Sequence, residues 1–128
     1  MSVGSNHTQM LTYEVEPFPG YGLEDRLGWP GNPRWKNNVY LGLYDLRNSV
    51  RFVARTIDGQ FKNITDPGCC GELPVYTEYD VNYTYTGSWG GAFEFGVKNI
   101  ANTTPPIDEY VYGANGFLNT ELYNPLGR

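Results

Sequence analysis

From residue 39 onward, apolar and polar side chains alternate with a period of two, the mark of strands that turn one face inward. The longest run covers residues 75–86, where Val75, Thr77, Tyr79, Val81, Tyr83 and Tyr85 alternate with Glu78, Asp80, Asn82, Thr84 and Thr86. Residues 39–44, 50–57 and 92–97 read as further strands, the last with Phe93, Phe95 and Val97 on one side. Residues 45–49 end one strand, and Gly87-Ser88-Trp89-Gly90-Gly91 closes a hairpin between 75–86 and 92–97. Asp58-Gly59 reads as a type I′ hairpin turn leading into a strand at 60–64, because such turns need two residues that accept positive φ. After a break at 101–106, two short strands are expected at 108–112 and 117–123, then an irregular tail at 124–128.

Six or seven strands with no helical segment between them predict an all-β fold, an antiparallel β-sandwich or small barrel. No internal repeat of the kind that builds solenoids or propellers occurs. The expected core places Val75, Tyr79, Val81 and Tyr83 against Phe93 and Phe95 across the hairpin.

Residues 1–38 break this pattern. Pro and Gly recur every few positions through Glu16-Pro17-Phe18-Pro19-Gly20-Tyr21-Gly22 and Gly28-Trp29-Pro30-Gly31-Asn32-Pro33. Yet the stretch carries Phe18, Tyr21, Trp29 and Trp35, large apolar rings that a polar linker would lack. It reads as an extended irregular arm, 1–38, laid on a single β domain, 39–128, or on a neighbouring subunit.

Composition narrows the classes. The chain has 128 residues, enough for one core and not two. Aromatics make up 16% and charged residues 18%, with only three Lys and four Ala, so disorder and helical folds are both disfavoured. A net charge of −5 argues against a nucleic-acid partner, which calls for clustered Lys and Arg. No apolar run is long enough for a transmembrane helix, and the N-terminus lacks the basic and apolar regions of a signal peptide, so Met1-Ser2 reads as a cytoplasmic start. The sequons at Asn6, Asn63, Asn82 and Asn102 reflect an Asn- and Thr-rich composition.

Catalytic groups are sparse. The sole histidine, His7, stands in a polar terminal segment, where nothing in the sequence orients it for acid–base work. Glu78 and Asp80 share one strand face about 7 Å apart, a spacing that an inverting glycosidase uses, though a solvated sheet face accounts for them as well. Asp66, Asp108 and Glu109 are the acids nearest to a Ca²⁺ set, but no loop follows the EF-hand pattern. No phosphate-binding glycine motif is present. Cys69 and Cys70 are adjacent; they are read as reduced thiols in a Gly/Pro loop, with a vicinal or inter-chain disulfide as the alternatives.

The aromatic residues rise above this background. Tyr and Trp are enriched where an apolar ring and a polar tip both find partners, so Phe18, Tyr21, Trp29, Trp35 and Trp89 are the candidate interface residues. The resulting expectation is a non-enzymatic structural protein of a virion, a phage capsid decoration (cement) protein that binds the shell as a homo-oligomer. It would contact a major capsid or tail protein, use no cofactor or metal, touch neither nucleic acid nor membrane, and be made in the host cytoplasm. Two alternatives stand beside it. One is a carbohydrate-binding or lectin-like module with Trp89 and Tyr76 as its sugar platform; the other is a subunit of a different extracellular assembly.

Overall fold

The computed structural model describes residues 1–62 and 70–107. Among them there is no helix, and the fold is all-β. Seven strands run in chain order: β1 Ser2–Gln9, β2 Glu14–Val15, β3 Glu24–Asp25, β4 Trp35–Tyr44, β5 Asn48–Ile57, β6 Tyr76–Thr86 and β7 Ala92–Val97. Five form one antiparallel sheet in the order β1-β4-β5-β6-β7, and β2 pairs with β3 in a separate ribbon. The large sheet stays open and does not close into a barrel, an all-β arrangement consistent with a sandwich-like fold.

The meander β4 to β7 follows the alternation in the sequence. The Asp45 N–H donates to the Asn48 carbonyl (2.7 Å) and tightens the β4–β5 turn. At the β6–β7 turn the Gly87 N–H donates to the Gly91 carbonyl (2.9 Å), and Gly90 takes a φ of 82°, which favours glycine. The Trp89 indole folds back over this loop, so a Cβ at Gly87 or Gly91 would run into its ring.

Four expectations change. The stretch 1–38 is not irregular throughout, because Ser2–Gln9 pairs along its whole length with β4, from Ser2 opposite Gly42 to Gln9 opposite Trp35. β4 itself begins at Trp35, four residues before the expected boundary. Asp58-Gly59 is not a hairpin turn either: β5 pairs with β6, and neither residue has positive φ. Here Gly59 answers a different need, close approach, since a Cβ on it would lie 2.5 Å from the Leu73 carbonyl oxygen. Phe61 forms an isolated bridge with Glu72 in place of the expected strand at 60–64, whose last residues fall outside the described ones. The strands expected at 108–112 and 117–123, and the tail, also lie outside the described residues.

The buried side chains lie at one end of the main sheet and in the loops beside it. Among the described residues, Trp29, Leu73 and Tyr76 are the buried large hydrophobics, and Gln60 is the largest fully buried side chain, at 1% exposure. The loop that carries Trp29 is tied to 58–62 by two bonds: the Gly31 N–H donates to Gln60 Oε1 (2.6 Å), and the Phe61 N–H to the Gly28 carbonyl (2.8 Å). The Leu73 N–H donates to the Gln60 carbonyl (2.7 Å), and the Asp58 N–H to the Trp35 carbonyl (3.1 Å). Together these loops cap the end of the sheet where β4 starts and β5 finishes.

Candidate functional site

In an antiparallel sheet, residues directly opposite one another point to the same side. Following the register therefore sorts the sheet into two faces. One row runs Val3, Leu41, Phe52, Val81 and Val97 across all five strands. The neighbouring rows on that side are Leu43, Val50, Tyr83 and Phe95, and then Val39, Ala54 and Tyr79. Tyr85 stands opposite Phe93 on the same face. No Asp, Glu, Lys or Arg of the five strands points to this side.

The opposite face holds the charge. Lys36, Arg51, Arg55, Glu78, Asp80 and Glu94 all alternate onto it. Arg55 bridges the two acids, with its Nη2 2.9 Å from both Glu78 Oε2 and Asp80 Oδ2. The remaining carboxylate oxygens are also engaged: the Tyr76 hydroxyl donates to Glu78 Oε1 (2.8 Å) and the Asn99 N–H to Asp80 Oδ1 (2.9 Å). A carboxylate pair held in this way is a structural bridge, with both acids fixed and neutralised in part by one cation. Arg51 lies over the Tyr40 ring, 4.9 Å from its centroid.

Among the described residues, the uncharged face carries no ion pair; its polar contacts are hydrogen bonds toward the ends of the strands, where the Tyr83 hydroxyl donates to Asn48 Oδ1 (2.6 Å) and the Thr77 hydroxyl to the Thr56 hydroxyl (3.1 Å). Phe93 and Phe95 are each 67% exposed, and Val3, Val39, Leu43, Phe52, Tyr79 and Tyr83 are exposed too. The pairing expected between 75–86 and 92–97 is present, with Tyr83 opposite Phe95, but the face is open rather than a core. Period two decides which side a residue takes; it does not say what covers that side. A depression of about 440 Å³ in this face is lined by Val39, Leu41, Phe52, Ala54, Tyr79, Val81 and Ile100, together with Val53 and Asp80. Ile100 is held there by its N–H, which donates to the Tyr79 carbonyl (2.8 Å). The loop that carries it is stitched by Asn99, whose side chain bonds both the N–H and the carbonyl of Thr103.

The five candidate interface residues are dispersed. Trp89 is 65% exposed at one end of the uncharged face, its ring 6.0 Å from Phe93 and 6.2 Å from Tyr85. Trp35, at the opposite end, is half-buried and stacks on His7 at 6.1 Å, so His7 is a strand residue rather than part of a loose terminus. Phe18 and Tyr21 are exposed and rest on each other, with centroids 4.7 Å apart, at a turn closed by the Tyr21 N–H and Phe18 carbonyl (3.1 Å). Trp29 is buried within its own chain, with the Arg26 guanidinium 5.1 Å from its ring. Its surface is not available to a partner.

Tyr76 is buried as well, at the end of β6 far from the Trp89 loop, so these two do not form one sugar platform. Cys70 is disulfide-bonded, not a free thiol; the one other cysteine in the sequence, Cys69, lies outside the described residues, as do Asp66, Asp108 and Glu109. Among the described residues, no three His, Cys, Asp or Glu side chains gather to hold a metal ion.

Sequence reasoning passed over Val39, Leu41, Leu43 and Phe52 as a surface. The signal for them was the lack of any charge at alternate positions of four strands. Neither a scan against protein-family models, nor a search of the curated proteins, nor a search of the solved structures finds a match to this chain.

Proposed function

We propose that this protein is a non-enzymatic subunit of a larger particle, and specifically a decoration protein of a phage capsid that binds the shell as an oligomer. The observation that carries this reading is the open, uncharged face of the five-stranded sheet. An exposed apolar patch of several hundred Å² in a soluble protein marks a surface meant to be covered. Three further features support it. The acids best placed for hydrolysis are locked around Arg55. The chain is small and acidic with few Lys, and further exposed aromatics stand outside the sheet, Trp89 at the β6–β7 turn and Phe18 and Tyr21 in the β2–β3 segment.

The test is co-purification. Particles banded from the source culture should contain this chain, at a copy number fixed relative to the major shell protein, by quantitative mass spectrometry. Its recovery only in the particle-free fraction would overturn the reading. A glycan array probed with the purified chain should show no binding above background; a defined glycan that binds, and is lost in Trp89→Ala, would favour the lectin-like alternative.

A further inference from the structure

We infer that the uncharged face of the sheet is a self-docking surface, and that its occupant is a second copy of this chain packed sheet to sheet about a two-fold axis. The inference deepens the assembly reading above and rests on it in part, by naming the partner of that face. Three observations favour a second copy over other occupants.

The first is area. Five strands spaced about 4.8 Å apart, each about eight residues long, present about 600 Å² in projection. Trp89 and Ile100 extend that surface at its margins. Two such faces bury an area in the range of a specific protein interface, which runs at about 800 Å² per partner.

The second is charge. The chain carries a net charge of −5, so two copies repel unless their contact surface is neutral. All Asp, Glu, Lys and Arg side chains of the five sheet strands lie on the other face, and this one has none. A partner chosen by charge would need complementary charges, and the face has none to offer.

The third is symmetry. A two-fold contact requires one patch that complements itself, and twisted sheets do this by crossing at about 30° with their side chains interdigitated. Phe52, in the middle of the central strand β5, falls near the axis, flanked by Leu41 and Val81. Phe93 and Phe95 of one copy would then pack over the β1–β4 side of the other.

Sedimentation of the full chain tests this directly. The native protein should be a dimer at micromolar concentration. Phe52→Lys places two like charges near the axis and should weaken association by at least about a hundredfold, whereas Arg51→Glu on the opposite face should leave it unchanged. Because Phe52 is exposed in the single chain, the variant should keep its far-UV spectrum. Should it misfold, hydroxyl-radical labelling of the native chain reads the same surface, and Tyr79, Phe93 and Phe95 should lose reactivity as concentration rises.

A native chain that remains monomeric at high concentration overturns the inference. So does a folded Phe52→Lys variant that dimerises as tightly as the native chain, or a face protected from labelling at every dilution. A monomer that still bands with particles defeats the dimer and keeps the particle-subunit reading without its oligomer. A dimer missing from particles does the reverse.

Discussion

Arg55 shows how one side chain can settle the character of a face. Glu78 and Asp80 are 12% and 14% exposed and lie two positions apart on one strand, so without a cation they repel in a partly dry setting. Replacing Arg55 with Met keeps much of the volume and removes the charge. The expected cost is about 1–2 kcal/mol in urea melts, less than for a fully buried pair because Arg55 is itself partly exposed. Adding Glu78→Gln to Arg55→Met should recover part of the loss, since only one acid is then left unpaired. Trp29 is the other residue on which the single chain depends. Its truncation to Ala removes a buried indole and should cost about 3–5 kcal/mol by thermal melt, with little effect on self-association if Trp29 serves only its own chain.

At the scale of elements, β4 to β7 were legible because alternation and turn residues agree there. The Gly87–Gly91 hairpin was legible down to its glycines, one needed for positive φ and two for the fold-back of Trp89. β1 was not. Ser2–Gln9 has only Val3 as a large apolar residue, and an edge strand with backbone pairing on one side needs no strong side-chain pattern. Asp58-Gly59 misled for a related reason: a dipeptide suited to a tight turn is equally suited to close packing, and only the long-range contact with Leu73 separates the two. Gly59→Ala tests this. A turn glycine at negative φ would accept Ala with little change, whereas here the Cβ meets the Leu73 backbone, and a loss of about 1–3 kcal/mol is expected. The candidate site was half legible: the exposed aromatics at Phe18, Tyr21 and Trp89 could be read, but the continuous face of the sheet required the register.

The whole molecule divides its apolar side chains between two tasks. One set, around Trp29, Leu73 and Gln60, seals the end of the sheet with segments drawn from 26–34, 58–62 and 70–73, so residues 1–35 belong to the folded unit. Deleting them should lower the melting temperature sharply rather than leave an intact domain, because β1, the β2–β3 ribbon and Trp29 go together. The other set, on the uncharged face, has no role within the described chain and remains for association. The two forces that hold dimers together respond to salt in opposite directions. Charge pairing fades once the Debye length falls to a few Å, while apolar burial holds or strengthens as salt raises the cost of exposing hydrocarbon. A contact made by Phe52, Leu41, Val81 and Phe95 without a single ion pair belongs to the second kind. Its dissociation constant should therefore stay level or fall between about 0.05 M and about 1 M NaCl, helped by the screening of the repulsion between two acidic copies. Calorimetry of dilution should also give a negative heat-capacity change of association, in proportion to the apolar area buried. Dissociation at high salt would place the contact on Arg51, Arg55 and their acidic neighbours instead, and so on the opposite side of the sheet.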